Sequence, residues 1–89
     1  MKVLKFGAIW CPGCIIMKPR WEEIEKENPW LDTEYYDYDN NKEKCEECGV
    51  KDELPVFVFL DKNGDEIMRL TGEVQKSKLM DIINQNKEN

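Results

Sequence analysis

Phe6-Gly7-Ala8-Ile9-Trp10-Cys11-Pro12-Gly13-Cys14 is where a strand hands over to a helix, and the rest of the chain is read from this junction. Residues 3–9 are mostly apolar and read as a largely buried strand. From Cys11 to Asn28 the period changes: Cys14, Met17, Trp21 and Ile24 recur at helical steps and share one face. Pro12 falls in the first helical turn, where a missing N–H costs no hydrogen bond. Pro19 lies inside the pattern and is expected to kink the helix, and Asn28-Pro29 ends it. The free N–H groups of that first turn, with the helix dipole, favour negative charge. A thiol held there loses its proton more readily, and the thiolate is the nucleophile. Cys14 lies one turn in, close enough to close a small disulfide ring, and it starts the apolar stripe. The expectation is an exposed, attacking Cys11 above a more buried, resolving Cys14, the arrangement for thiol–disulfide exchange. Inert core cysteines and zinc ligands are the competing readings of the pair.

Working outward, residues 33–38 are rich in strand formers and make a second strand. Asn40 is expected to cap a short helix reaching about Cys48, with Gly49 as its stop. Residues 56–60 (Val56-Phe57-Val58-Phe59-Leu60) are continuously apolar and read as a central strand. Asn63-Gly64 marks a hairpin into a returning strand over 66–71. A last helix over about 75–86 turns Leu79, Ile82 and Ile83 inward, and the polar tail after Asn84 is expected to fray. The order β-α-β-α-β-β-α predicts an α/β fold: a four-stranded mixed sheet with helices on both faces. Residues 1–89 read as a single domain.

Composition narrows the function. The 89 residues carry 13 basic and 19 acidic side chains, a net charge of −6, which argues against binding nucleic acid through its phosphates. No apolar run approaches the ~18 residues that a membrane span needs. There is no histidine, which removes every Cys/His or Ser/His nucleophile scheme and the commonest metal ligand. Four cysteines are the reactive inventory. Met1-Lys2 precede strand-like sequence with no apolar leader, so the expected location is the cytoplasm, where structural disulfides are uncommon. The small size and the absence of a heptad pattern favour a monomer.

The same junction resembles the thioredoxin family, and the resemblance extends over nearly the whole chain. Residues 6–14, with Trp10 just before the first cysteine, look like that family's strand-to-active-site segment. Pro19 matches its helical proline, Leu54-Pro55 its cis-proline, and Asn63-Gly64 and Thr71-Gly72 its hairpin and groove glycine. The resemblance implies a thioredoxin-like fold. It implies a protein-disulfide oxidoreductase with Cys11 and Cys14 as the redox pair. Pro55 would be cis and packed on the pair, Leu54 would offer backbone hydrogen bonds to an extended substrate, and Trp10 and Gly72 would flank the groove. Substrates would be disulfides of proteins or small thiols. A reductase or thiol would reset the pair. No cofactor is required, because the cysteines themselves carry two electrons.

The chain departs from the family at three places. The dipeptide is Pro12-Gly13 rather than Gly-Pro, closer to glutaredoxins and periplasmic oxidases, so the direction of electron flow stays open. Gly7 stands where the family has a second tryptophan. Lys5 stands where it has a buried acid, with Tyr35 in place of the usual basic neighbour. Lys5 either favours a nearby thiolate, making it a pKa-tuning residue, or carries its amine out to water. Glutathione recognition of the glutaredoxin kind lacks its signals: Leu54 replaces the valine before the proline, and Thr71-Gly72-Glu73 follows the hairpin.

Cys45-Glu46-Glu47-Cys48 leaves three readings open: a second redox disulfide, two unreactive thiols beside discouraging carboxylates, or, with Cys11 and Cys14, a four-sulfur zinc site. The alternative function is therefore a non-catalytic zinc-binding or redox-regulated interaction module. Trp21 and Trp30 read as packing residues and Tyr35, Tyr36 and Tyr38 as strand formers. The acidic runs read as solvated faces.

Overall fold

A computed structural model describes residues 1–88; Asn89, the end of the tail expected to fray, lies outside the described residues. The strands are β1 (Lys2–Gly7), β2 (Asp32–Asp37), β3 (Val56–Leu60) and β4 (Glu66–Thr71), and the helices α1 (Pro12–Glu27), α2 (Lys42–Glu47) and α3 (Lys76–Asn86). They follow one another as β-α-β-α-β-β-α, the expected order. The sheet order is β2-β1-β3-β4, so β1 and the continuously apolar β3 are its two inner strands. β1 is parallel to β2, and β3 is antiparallel to both β1 and β4.

The alternation of side chains across the sheet divides the core into two layers. Val3, Phe57 and Phe59 turn to one face, where Met17, Trp21 and Ile24 of α1 and Leu79, Ile82 and Ile83 of α3 cover them. Leu4, Phe6, Val56 and Val58 turn to the other, where Cys45 of α2 and Val50 close over them. Each full burial of such an aliphatic or aromatic side chain is worth about 1.5–3 kcal/mol. Both faces of β1 and β3 are therefore sealed, and the antiparallel register Phe6↔Val56 brings the end of β1 beside the start of β3. That meeting point carries the site.

Two local expectations are corrected, at the end of β1 and at the start of α2. β1 stops at Gly7 rather than running to residue 9: Cys11 N donates to Ala8 O in a turn at 3.2 Å, and Ile9 and Trp10 are exposed. α1 continues through Pro19 as one helix. Asn40 does not cap α2; its backbone N–H and its Nδ2 both donate to Asp37 Oδ2, and the cap position falls to Asn41, whose side chain donates to Asp37 O. In the β3–β4 hairpin, Asp61 Oδ1 accepts from the N–H groups of Asn63 and Asp65, and Gly64 takes φ +86°. A glycine is suited to that left-handed backbone.

Candidate active site

Cys11 is the N-cap of α1. Its backbone is extended, and its Sγ accepts a hydrogen bond at 3.2 Å from the N–H of Cys14. A side-chain oxygen usually takes this cap role; here a sulfur receives one of the unpaired first-turn donors. The Cys14 thiol is set differently. Burial, followed by a hydrogen bond to the Cys11 sulfur, pushes its pKa up to about 12. The two sulfurs thus divide into one with a donor aimed at it and one that keeps its proton.

Their order of burial is the reverse of the expectation. Cys11 is only 4% exposed, and Cys14 is the more open of the two. Two local features explain this. Cys11 is folded back against its own helix turn by the cap bond and by the Ala8 turn. Cys14 faces Gly7, which has no side chain to cover it. A cleft of about 590 Å³ opens there, lined by Gly7, Cys14, Trp21, Tyr35 and Lys5 among others, and it does not include Cys11.

The Leu54–Pro55 peptide is cis. The Pro55 ring lies over the active-site turn so closely that a Cβ on Gly13 would stand 3.1 Å from Pro55 Cδ. Any larger residue at position 13 would push the proline away. Leu54 lies just outside the β3 ladder and packs on the Cys45 layer. Gly72, at φ +89°, donates its N–H to Pro55 O at 2.8 Å, tying the groove glycine to the proline. Trp10 is half exposed. Its indole donates to Asp39 Oδ2 at 2.8 Å, and its ring meets Tyr38 edge-on at 6.3 Å. Trp10, Cys11, Pro55 and Gly72 therefore gather at one end of the sheet.

Lys5 keeps its side chain 15% exposed at the wall of the cleft. Its ammonium pairs with Glu25 of α1 and lies 5.8 Å from the Trp21 ring centroid. The groups that shift the Cys14 thiol are Cys11 and backbone amides, and Lys5 is not among them. Glu25 was read as part of a solvated acidic face, although it stands one turn beyond Trp21 on the same helix face; the structure pairs it with Lys5 instead. Tyr35 pairs in register with Lys5 across β1 and β2. Its hydroxyl and the Cys14 sulfur both crowd the point where a residue-7 Cβ would sit, at 3.0 and 3.2 Å. Burial, then Asp37, raises the Tyr35 hydroxyl pKa. Tyr35 was read as a strand former standing in place of the family's basic neighbour of position 5, and its register opposite Lys5 agrees with that placement.

All four cysteines are free thiols. Cys45 is 2% exposed in the second core layer, and burial above all raises its pKa and that of Cys48. Burial, more than Glu46 or Glu47, is what discourages these thiolates. The four-cysteine zinc arrangement is not assembled: among the described residues, no three His, Cys, Asp or Glu side chains come together as a metal cage. No described helix is long and apolar enough to cross a membrane.

The family model described as Thioredoxin matches residues 1–85. Thioredoxin from Pongo abelii is 30% identical over 83 residues, covering 93% of this chain and 76% of that protein. Thioredoxin H5 from Oryza sativa subsp. japonica is 36% identical over 70 residues, 79% of this chain but only 50% of the rice protein, so this chain spans half of that relative's length. Among solved structures, Fasciola hepatica thioredoxin superposes with a TM-score of 0.85 at 33% identity, covering 96% of this chain and 79% of that one. Similarity in sequence and in fold over almost the whole length places the chain in the thioredoxin family, the thiol–disulfide oxidoreductases.

Proposed function

We propose that the chain exchanges disulfides with protein substrates through Cys11 and Cys14. The Cys11 thiolate attacks one sulfur of a substrate disulfide, forming a mixed disulfide and releasing the other substrate sulfur as a thiolate. Cys14 then attacks Cys11 Sγ, closing the Cys11–Cys14 disulfide and releasing the substrate as a dithiol. The observation that carries this reading is the first-turn N–H of Cys14 donated to Cys11 Sγ at 3.2 Å. It aims a backbone donor at one sulfur of the pair only.

The raised Cys14 pKa supports the second step as well. Two of its causes, the hydrogen bond to Cys11 and the charge on Cys11, belong to the dithiol state. Once Cys11 is tied into a mixed disulfide, both vanish and the Cys14 pKa falls toward what burial alone imposes. Burial, the largest cause, remains in the mixed disulfide, so only part of the barrier to Cys14 ionisation is lifted there.

Cys11 has little exposed surface, so the substrate disulfide has to be presented to it on an extended strand. The ledge for that strand is Leu54-Pro55, with Trp10 and Gly72 at its sides. A reductase or a thiol completes the cycle by reducing the pair, and the working location is a reducing compartment such as the cytoplasm. Insulin-disulfide reduction tests the reading. Cys11→Ser is expected to abolish attack. Cys14→Ser is expected to accumulate a mixed disulfide at Cys11, visible by intact mass. A Cys11→Ser protein that still reduces insulin at the wild-type rate overturns it.

A further inference from the structure

Pro55 belongs to two surfaces. It forms the proposed substrate ledge with Leu54, Trp10 and Gly72, and it also lines the cleft of about 590 Å³, which none of those three enters. The cleft reaches Cys14, whose N–H lies against Cys11 Sγ with N and S 3.2 Å apart, so it begins within one helical turn of the attacking sulfur. Gly7 keeps it open: a Cβ there would stand 3.0 Å from the Tyr35 hydroxyl and 3.2 Å from the Cys14 sulfur. Met17, Trp21 and Phe57, all buried, form its floor. Ile9 and Ile15 line it too, yet are 87% and 64% exposed, so they stand where it meets solvent. An apolar floor that continues into an exposed apolar rim is the build of a ligand-binding groove. We propose that this cleft is a specificity pocket for a bulky apolar side chain, above all an aromatic one, lying one or two residues from the reacting cysteine of the disulfide substrate. The inference deepens the exchange function proposed above and rests on it: the bonds made and broken are those of the exchange, and the pocket selects which disulfide is presented to Cys11.

Continuity, size and charge identify the occupant. Because Pro55 is shared, a substrate strand laid along the ledge passes the mouth of the cleft. Residues of a strand advance about 3.3 Å each, so a side chain one or two positions from the substrate cysteine reaches it. The volume lies in the range of pockets that enclose small ligands, ample for one aromatic side chain and too small for a folded element. Of the ionic groups on its wall, Lys5 and Glu25 neutralise each other. Lys18 faces two carboxylates, Glu22 and Asp37, which leaves no surplus positive charge for an acidic side chain. A basic side chain would have to give up water over the apolar floor. An aromatic ring instead gains ring contacts with Trp21 and Phe57 and a sulfur contact with Met17.

The test uses synthetic peptides with one cysteine held as its mixed disulfide with 2-mercaptoethanol in a Gly/Ser background. Phe, Ala, Lys or Glu is placed in turn at each of the two positions on either side of that cysteine, and the second-order rate of reduction by pre-reduced wild type is measured. At one position or more, the Phe peptide is expected to react about tenfold or more faster than the Ala peptide, the size expected when an apolar group fills an apolar pocket. It should also outrun the Lys and Glu peptides there. A smaller advantage at every position, or Lys or Glu as the preferred residue, overturns the inference. Gly7→Val fills the cleft, and the double variant Ile9→Glu/Ile15→Glu charges its rim. In each, the Phe-to-Ala ratio is expected to fall to about twofold or less, and the ratio cancels any change in the chemistry that both peptides share. Gly7→Val crowds Cys14 and Tyr35; where it does not fold, the rim variant, altered only at exposed side chains, decides. A ratio that stays above this value in a folded variant overturns the pocket. Failure of wild type to reduce insulin and every peptide removes the exchange function itself, whereas reduction of all the peptides at one rate removes only the pocket.

Discussion

The molecule carries two Cys-x-x-Cys pairs with identical spacing, and the fold gives them opposite surroundings. Cys11 and Cys14 straddle the start of α1, where backbone N–H groups have no helical partner, and one of them is donated to sulfur. Cys45 and Cys48 occupy the far end of α2, where carbonyls predominate: Cys45 O accepts from Val50 N, and Cys48 is the C-cap. A helix end that presents N–H groups stabilises a thiolate, and one that presents carbonyls does not. Burial compounds the difference, raising both of the second pair's pKa values and sinking Cys45 into the core. Identical spacing therefore meets opposite electrostatic settings, fixed by the end of the helix on which each pair falls.

The largest effect expected from breaking this contrast is on turnover. Cys11→Ser should reduce insulin-disulfide reduction by roughly a thousandfold or more, because the nucleophile is gone and no other group can replace it. Cys48→Ser should leave that rate within about twofold, since the exchange proposed above does not use its sulfur. Comparable losses in the two variants would erase the distinction. Stability should show the opposite ranking within the second pair. Cys45→Ser places a hydroxyl in an apolar layer beside Leu4, Phe6 and Val58, at a cost of about 1–3 kcal/mol. Cys48→Ser, only partly buried, should cost less than about 0.5 kcal/mol in urea unfolding.

Much of this was legible in the residues. The change of period at Cys11, the apolar run 56–60 and Asn63-Gly64 give the element order. Position relative to the helix start places Cys11 at the N-cap of α1, as the structure has it. The burial order of the pair was not legible, because it depends on what faces Cys14 from another strand. The stripe Cys14-Met17-Trp21-Ile24 says which helix face turns inward, and nothing in it says that Gly7 leaves Cys14 uncovered. Lys5 likewise was read against the sulfurs, its neighbours by family likeness. Its true partner, Glu25, lies twenty residues away and meets it only when α1 lies down on the sheet. The failed Asn40 cap has the same origin: two asparagines were available, and Asp37, at the end of a strand, took both side chains.

A smaller effect concerns pH. The Cys14 thiol pKa is raised in the folded dithiol from an ordinary 9.0 to about 12. The folded state then holds a proton that the unfolded chain gives up in that interval. Its stabilising contribution is complete below pH 9 and is lost as pH rises toward 12. Reduced wild type should therefore lose unfolding free energy more steeply above pH 9 than the oxidised protein, in which Cys14 has no proton to lose. Cys14→Ser should follow the shallower course. Coincident slopes for all three, measured by urea unfolding at stepped pH, would show that the proton is not held.

The smallest effect separates the two roles for Lys5. Its side chain is 15% exposed and that of Glu25 30%, so their attraction is only partly screened. Lys5→Met and Glu25→Gln should each destabilise the protein, and the double variant should lose less than the sum. The coupling is expected at about 1 kcal/mol, at the upper end for accessible ion pairs. A structural pair predicts this coupling with thiol reactivity unchanged by Lys5→Met. A lysine acting on the sulfurs predicts little coupling and an altered thiolate titration, followed by ultraviolet absorbance. The pairing with Glu25 favours the first outcome, because a charge already neutralised across the α1–β1 interface has little field left to spend on Cys14.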